Sequence, residues 1–533
     1  MATPQPPPAV SSWAPLRSPI YRALWIAQSI SNLGTWMQTV GAQWMLVGDP
    51  GAAVLVPLVQ TATTLPVMLL ALPSGVIADL VDRRRLLIAT QGAMASGVAT
   101  LALLSGFGLA TPTVLLLLLF VIGCGQALTA PAWQAIQPEL VPREQIPAAA
   151  ALTSMSMNGA RAIGPAIAGV LVSASGPTTV FALNAVSFIG IVTVLLAWRR
   201  PPTESMMPVE RPLSALSAGG RFIRSSPVIR RILLRSVLFI APASALWGLL
   251  AVIAANQLNL SSSGYGVLLG ALGVGAVVGA VVLSRLQKAF GFNQLLAVAA
   301  VGFAVATAVL ATVHVLAVVL GALVLGGVSW LLTLSTCNAS MQLSLPAWVR
   351  ARGLSVYQLV FMGGQAIGSL GWGLVAGATS VVTALLISAA LLVGCAASVL
   401  WWPLHAGTGT LDVTPSAHWG EPALLFEPDP RDGPVVVLQS YLVAPEDEAG
   451  FLGLMKRVRR SRQRTGAMQW GIFRSGESAD TFVELFVVRS WDEHLRQHLV
   501  RQTGLDYALE QEISRFVHGE STLRHFIAVR TER

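Results

Sequence analysis

Twelve apolar runs, each near the length needed to cross a bilayer, follow one another between residues 20 and 402. Cutting at charges and at Gly/Pro/Ser clusters places them roughly at 20–47, 53–78, 86–108, 112–135, 146–174, 177–198, 232–257, 264–287, 293–312, 315–342, 353–377 and 380–402. A helix needs about 20 such residues to cross the hydrocarbon core. In lipid every backbone amide must be satisfied internally, so a segment of this kind crosses as a helix. The expected fold class is therefore an all-α polytopic membrane protein with twelve spans. Only 11% of the 533 residues are charged, and mean hydropathy is +0.66. Most of such a chain cannot be solvated by water.

The charges are unevenly placed. Residues 1–405 carry 19 Lys/Arg against 7 Asp/Glu, while residues 406–533 carry 15 against 18. A strongly basic chain can signal a nucleic-acid partner. Here the basic residues sit in loops between apolar runs, which excludes that reading and implies a lipid-bilayer environment. The loops near residues 48–51, 110–112, 174–177, 259–263, 314 and 379–380 contain no Lys or Arg. The alternate set contains Arg83, Arg84, Arg85, Arg143, Arg199, Arg200, Arg211, Arg221, Arg224, Arg230, Arg231, Arg285, Lys288, Arg350 and Arg352. The positive-inside rule puts this second set in the cytoplasm. Both termini are then expected there too, in an inner (plasma) membrane protein. The Pro-rich start, without a charged segment leading into an apolar one, does not read as a cleavable signal. Cys124, Cys337 and Cys395 lie in apolar runs with neither metal spacing nor a disulfide framework, and read as small buried hydrophobes.

The chain repeats itself. The segment Gly159-Ala-Arg161-Ala-Ile-Gly164-Pro165-Ala-Ile-Ala-Gly169 matches Gly363-Gly-Gln365-Ala-Ile-Gly368-Ser369-Leu-Gly-Trp-Gly373 at an offset of 204. Span five thus corresponds to span eleven, and the fold becomes two parallel six-helix repeats with a cavity between them. The expected organisation is a cytoplasmic N-terminal tail (1–19), a first half (20–198), a central cytoplasmic loop (199–231), a second half (232–402), a linker (403–433) and a cytoplasmic soluble domain (434–533). The last segment reads as strand, helix, strand, strand, helix, strand, the α+β ferredoxin-like order.

Between spans two and three lies Gly75-Val-Ile-Ala-Asp79-Leu-Val-Asp82-Arg83-Arg84-Arg85. It resembles the signature loop of the major facilitator superfamily. The resemblance implies that Gly75 permits close helix approach and that Asp79 locks an inner gate; Asp82 stands where that pattern usually has a second glycine. A plain charged cytoplasmic anchor is the bland alternative. The segments Ser31-Asn32-Leu33-Gly34-Thr35-Trp36, Pro131-Ala-Trp133-Gln134 and Pro138-Glu-Leu-Val-Pro142, with the span-five segment, are similar to the transmembrane secretion effector branch, which includes enterobactin-type exporters. The pattern Gly164-Pro165-Ala-Ile-Ala-Gly169 also resembles a span-five motif of drug–proton antiporters and implies export; small-residue helix packing accounts for it equally.

Arg161 reads as the one charge deep inside a predicted span. A buried guanidinium in a membrane is costly and marks function by default. It shares a stripe with Ser154, Asn158 and Pro165, and has two roles open to it: binding an anionic substrate group or partnering a carboxylate. A structural hydrogen bond to neighbouring carbonyls is the alternative. Span one carries a polar stripe at Gln28, Asn32, Thr35, Thr39 and Gln43, and span ten another at Ser329, Thr333, Thr336 and Ser340. Such stripes turn away from lipid and either line a cavity or bond neighbouring helices. The candidate substrate contacts are therefore Gln28, Asn32, Thr35, Thr39, Asn158, Arg161, Thr333, Thr336 and Gln365.

No GxxxxGK[ST] loop is present, which argues against ATP-driven transport by this chain. A proton gradient is what the family resemblance implies, with no cofactor, metal or catalytic residue expected. No Asp or Glu lies mid-span, so the sequence names no proton carrier. The tail segments Gly466-Ala-Met-Gln-Trp470-Gly and Ser490-Trp491-Asp-Glu-His494-Leu-Arg-Gln-His498 resemble antibiotic-biosynthesis-monooxygenase-like domains, a dimeric family, which implies self-association. His494 and His498 stand at a metal-ligand spacing, although a surface or core histidine pair is the commoner cause. The expected function is ion-gradient-driven export of a small hydrophobic or amphipathic molecule. The alternative is a bifunctional protein whose tail oxidises or binds the transported compound.

Overall fold

The computed structural model describes residues 11–198, 220–404, 412, 414, 416, 424–426, 428–519 and 521–529; the side chains of Leu72, Val76, Asp79, Leu80, Pro138, Arg143 and Ala351 lie outside that description. So do the N-terminal ten residues, residues 199–219 of the central loop and most of the expected linker. Twelve long helices fill the described part of residues 19–397: α1 (Pro19–Leu46), α2 (Ala52–Leu80), α3 (Arg83–Gly106), α4 (Pro112–Leu140), α5 (Ile146–Ser175), α6 (Pro177–Ala197), α7 (Pro227–Asn256), α8 (Ser262–Ala289), α9 (Phe292–Thr312), α10 (Leu316–Ser344), α11 (Ala347–Ala378) and α12 (Val381–Ala397). Nine of these, among the described residues, are long and apolar enough to cross a membrane; α12 is apolar but shorter. The two others, α1 and α5, carry the polar residues noted above.

Local chemistry sets the helix ends. Ser18, Thr111 and Ser380 accept hydrogen bonds from the amides of Tyr21, Val114 and Thr383 and so cap α1, α4 and α12. Prolines begin α1, α4 and α6, where a missing amide hydrogen costs nothing. Gly176 has φ +79°. It ends α5 and starts α6 in a single residue, a left-handed conformation that glycine adopts without strain.

The chain separates into two compact units. The first comprises Met1–Ser205, Arg235–Thr336 and Gln358–Pro403; the second comprises Met206–Leu234, Cys337–Tyr357 and Leu404–Arg533. Within the first unit, α1 packs on α5 and α6, α2 on α4, α3 on α4 and α6, α5 on α8, and α9 on α12. The repeat is visible in these contacts. A Cβ added at Gly164 would lie 2.9 Å from Trp36 Cβ on α1, and one at Gly368 would lie 2.8 Å from the Ala241 carbonyl oxygen on α7. A Cβ at Gly169 would sit 2.6 Å from the Ser262 carbonyl oxygen on α8, and one at Gly373 would sit 3.3 Å from Pro57 Cβ on α2. Each half thus uses its Gly-x-x-x-x-Gly pair in the same way. The first glycine meets a helix of its own half, and the second meets a helix of the other half.

These inter-half contacts lie along the helix ends that lack arginine. Gly266 meets the Pro165 carbonyl and Gly169, Gly248 approaches Pro57, and Gly377 approaches Val54. The Tyr265 hydroxyl donates to Gln43 Oε1 at 2.5 Å, joining α8 to α1. Ala162 and Gly273 extend the α5–α8 seam towards mid-helix.

In the second unit the strands are β1 (Val435–Leu442), β2 (Gln469–Arg474), β3 (Thr481–Val488) and β4 (Thr522–Ile527). Their order is β2-β3-β1-β4, with every neighbouring pair antiparallel. Val435 faces Val488 on one side and Ile527 on the other. Helices α13 (Glu448–Thr465), α14 (Trp491–Arg496) and α15 (Gly504–Ser514) accompany the sheet. Phe451, Leu454, Met455 and Val458 of α13 bury against Tyr441 and Phe482.

The seam predicts a large penalty for added bulk. Gly169→Val would drive methyl groups into backbone atoms of α8, which cannot rotate away. It should destabilise the protein by about 1–3 kcal/mol, read as a lowered melting midpoint in detergent. Gly190→Val, where an added Cβ meets nothing within 4 Å, should leave that midpoint nearly unchanged. Equal effects at both positions would contradict the close seam.

Candidate transport site

The sharpest sequence motif sits where α2 gives way to α3 after only two residues. Asp82 caps α3 by accepting from the Arg85 amide at 2.8 Å, so the carboxylate does the work of ending the turn where the family pattern has glycine. Arg83 bridges to Glu139 Oε1 of α4 at 2.9 Å and donates to the Ala135 carbonyl. Arg84 donates to the carbonyls of Leu195 and Leu196 at 2.8 and 2.9 Å, capping the end of α6. Two of the three arginines therefore clamp α3 to α4 and α6 within the first half. An added Cβ at Gly75 would meet nothing within 4 Å among the described residues. The inter-half contacts that the described residues make on α2 lie nearer its other end. The backbone of Asp79 falls in the last turn of α2, and its side chain is outside the description.

The polar stripe of α1 turns towards α4 and α5. Gln28 donates to Asn32 Oδ1 at 2.9 Å, and Asn32 donates to Ser156 Oγ at 3.1 Å. Both line a small void of about 20 Å³ with Tyr21, Trp25, Trp133 and Gln137. Trp133 belongs to one of the family-like segments. Thr35 and Thr39 donate to the carbonyls of Ser31 and Thr35 on their own helix. On α5, Asn158 is exposed and donates to the Ser154 carbonyl at 2.9 Å. The Arg161 guanidinium lies 5.4 Å from the Trp36 ring centroid, a cation–π separation. Its Nε is buried with no hydrogen-bond partner among the described residues. Trp36 belongs to the same segment as Asn32 and Gly34, so α1 and α5 bring the first-half candidates together.

The second-half candidates fall elsewhere. Thr333 donates to the Ser329 carbonyl and lines a void of about 10 Å³ with Arg235, Phe239, Leu296, Cys395 and Val399. Ser329 itself stands against Gly302 of α9. Thr336 is fully buried. The α10 stripe therefore faces inward among α7, α9 and α12. Gln365 accepts from Gln60 Nε2 at 3.4 Å, across the α2–α11 seam. Its repeat counterpart Arg161 has no such bond, so the two positions have diverged in contact as well as in charge.

Gln43, the last member of the α1 stripe, bonds a neighbouring helix through Tyr265. Two features went unread in the sequence. Asn184, fully buried in α6, donates to Gln38 Oε1 at 2.6 Å, and the absence of a side chain at Gly34 makes room for it. Arg235 is a second buried arginine and caps α12: it bonds the carbonyls of Cys395 and Ser398 at 3.2 and 2.7 Å, and that of Trp402. A polar side chain inside an apolar run was the available signal for Asn184 and Arg235; the partners lie 146 and about 160 residues away and leave no local trace.

In the tail, the fully buried Glu484 accepts from Trp470 Nε1 and the Tyr441 hydroxyl, both at 2.8 Å, and pairs with Arg462 at 3.1 Å. Burial opposes the Arg462 charge, but Glu484 and Glu510 outweigh it and hold the guanidinium above its usual range. His494 and His498 are core residues. Their rings stand 4.8 Å apart, and His525 stands 4.8 Å from His494, beside Trp491 and Phe486. Among the described residues no group of His, Cys, Asp or Glu is arranged to hold a metal ion. Burial, the neighbouring histidines and Arg462 push His494 down to about 3 and His498 to about 2.

Helices paired through glycine, a doubled motif and buried polar residues between six-helix halves define a membrane transporter of the major facilitator type. The chain belongs to the transmembrane secretion effector family, which it matches over residues 10–533. It is 29% identical over 323 residues to the enterobactin exporter EntS of Citrobacter koseri, covering 60% of this chain and 75% of that one. It is 27% identical over 262 residues to the staphyloferrin A transporter of Staphylococcus aureus, covering 49% and 65%. The chain thus spans about two thirds to three quarters of these relatives. Among solved structures it is similar to a variant of the nucleoside transporter NupG (TM-score 0.60, 14% identity, 72% of this chain, 99% of that chain). It is also similar to a bacterial homologue of the human lysosomal transporter Spinster (TM-score 0.60, 14% identity, 73% and 97%). At these identities the likeness is one of fold.

The buried histidines make the tail acid-sensitive. Below pH 6.5 the unfolded chain takes up protons at His494 and His498 that the folded tail refuses. Stability is full above that pH and falls as pH drops towards 3. The loss approaches about 2 kcal/mol per histidine by pH 5. Amide exchange in β1 and α15, corrected for intrinsic rates, should accelerate steadily from pH 7 to 5. A flat profile would mean that the native histidines already carry the proton.

Proposed function

We propose that this protein is a secondary exporter that uses an ion gradient to move a small hydrophobic or amphipathic, siderophore-like compound out of the cell by alternating access. In this reading twelve helices span the inner membrane, both termini are cytoplasmic, and residues 20–198 and 232–402 are the two moving halves. The observation that carries it is the placement of the inter-half contacts. They run from the arginine-free helix ends towards mid-helix, while among the described residues nothing lies within 4 Å of an added Cβ at Gly75, on the arginine-rich side. A pathway open to the cytoplasm and sealed outside is the state in which an exporter loads its cargo. The space beside Gly75 is then what α2 would close on reaching the other state, with Asp79 as the group that locks it. The names of the relatives support a siderophore-like cargo. The sheet order β2-β3-β1-β4 supports a ferredoxin-like tail, and self-association through that tail follows from its resemblance to dimeric domains.

Arg161 is the proposed cargo contact on the α1–α5 side, with Asn158 and Asn32 as its polar neighbours. Cells lacking their own exporter should retain several-fold less enterobactin when they express this protein. Arg161→Ala should return retention to the empty-vector level. Arg161→Lys should recover little, because an ammonium lacks the planar donor fork. Normal efflux by Arg161→Ala, with only a lower melting midpoint, would assign the residue to packing.

Topology is tested separately in a cysteine-free background. Cysteines at the exposed positions Ser175 and Ser261 should react with an impermeant thiol reagent on whole cells, and one at Arg285 only after lysis. Labelling at position 285 on intact cells would overturn the orientation.

A further inference from the structure

Arg161 and Trp36 stand where the two repeats have diverged, although the packing around them is kept. Gly164 of α5 and Gly368 of α11 occupy equivalent positions, and each receives the first helix of its own half. At Gly164 an added Cβ would lie 3.4 Å from the Leu33 carbonyl oxygen and 2.9 Å from Trp36 Cβ. At Gly368 it would lie 2.8 Å from the Ala241 carbonyl oxygen and against the Ser244 hydroxyl. By these contacts Leu33 corresponds to Ala241 and Trp36 to Ser244, as Arg161 corresponds to Gln365. The second half closes this joint with a serine and a glutamine, so the joint itself requires neither a ring nor a charge. The first half has both and brings them together, with the guanidinium 5.4 Å from the ring centroid. Gly164 makes this possible. With no side chain there, Trp36 comes in against α5, and its ring lies beside the residue one turn earlier.

A ring face recovers only part of what a guanidinium loses on leaving water. The rest must come from an anion or from other acceptors. Neither α5 nor α1, α6 and α8, which pack along it, contain an Asp or Glu. Asn158, exposed and one turn nearer the start of α5, and Gly159, where an added Cβ meets nothing within 4 Å among the described residues, leave room beside the pair. A guanidinium held over a ring still offers the donors on its edge. Their planar fork matches two oxygens in one plane, as in a carboxylate or neighbouring ring oxygens. We propose that Arg161 and Trp36 together select an anionic cargo through a planar oxyanion, with Trp36 as the positioning residue that fixes the fork's orientation. The proposal rests on the reading of Arg161 as the cargo contact and adds the charge and shape of the group it takes.

The test uses the purified full-length protein in an uncharged detergent at neutral pH. The probes are two shape-matched pairs, 2-naphthoate with 2-naphthamide and decanoate with decanamide, and affinities are read by isothermal titration. The wild type should bind at least one anion about ten-fold more tightly than its amide. Preference within the naphthyl pair assigns the oxyanion to a ring-bearing compound, and preference within the decanoyl pair to a chain-bearing one; either supports the proposal. Arg161→Gln should bring the ratio to about one. Trp36→Leu should lower the ratio several-fold by weakening the anion alone, whereas a ring that only fills space would weaken anion and amide together. Trp36→Phe keeps a ring face and should retain most of the ratio. Should Trp36→Leu misfold, Trp36→Met takes its place with the same expectation. The proposal fails if neither anion outbinds its amide in the wild type, if Arg161→Gln keeps the preference, or if loss of the ring lowers both affinities alike. Efflux is scored separately. Enterobactin export by a protein without anion preference overturns this inference alone. Anion preference in a protein that exports nothing overturns the export reading and leaves the oxyanion site in place.

Discussion

Helices α5 and α8 approach until their backbones touch, and the two halves depend on that contact. Gly169 and Gly266 leave no side chain between them, and their carbonyls and Cα atoms form the surface. In lipid no hydrophobic force drives helices together, so association rests on close van der Waals packing and on interhelical hydrogen bonds. The Tyr265–Gln43 bond adds the polar component on one side of the seam, and Gln60–Gln365 adds it on the other. The same glycine spacing in α11 gives α2 its place, so one short motif, used twice, supplies both walls. Such a surface is strong while closed. It holds few interlocking side chains and can part without unthreading them, as alternating access requires.

The arginines divide the remaining work. Arg83, Arg84 and Arg235 tie helices to one another within their own halves, by an ion pair or by capping exposed carbonyls. Among the described residues Arg161 does neither: it lies over Trp36 with its Nε unbonded. A guanidinium held by a ring face keeps donors available for another group, which suits a contact that forms and breaks. That contrast, rather than depth alone, separates Arg161 from the structural arginines.

Much of the architecture was readable because membrane spans declare themselves by length and apolarity, and because the repeat left a direct sequence match. The boundaries of α3, α4 and α6 differ from the apolar runs by only a few residues. Neighbour relations were not readable. Helical spacing shows that Ser329, Thr333 and Thr336 share a face of α10, but not that the face turns towards α9 and α12. The GPAIAG segment could be recognised as small-residue packing, yet only the coordinates pair its last glycine with α8. Gly75 looked like a packing glycine by the same logic, yet among the described residues nothing lies within 4 Å of an added Cβ there. The tail histidines showed metal-like spacing, and the structure packs them in the core beside Trp491 and Phe486.

The central claim is that the α5–α8 seam is a gate rather than a fixed wall. Spin labels at Ser175 and Ser261, on the helix ends flanking it, report its width by pulsed electron–electron resonance in proteoliposomes. The account predicts a single short separation at rest and a second population, longer by several ångströms, when a proton gradient and enterobactin are supplied together. One unchanged short separation under every condition, in protein that still exports, would contradict it.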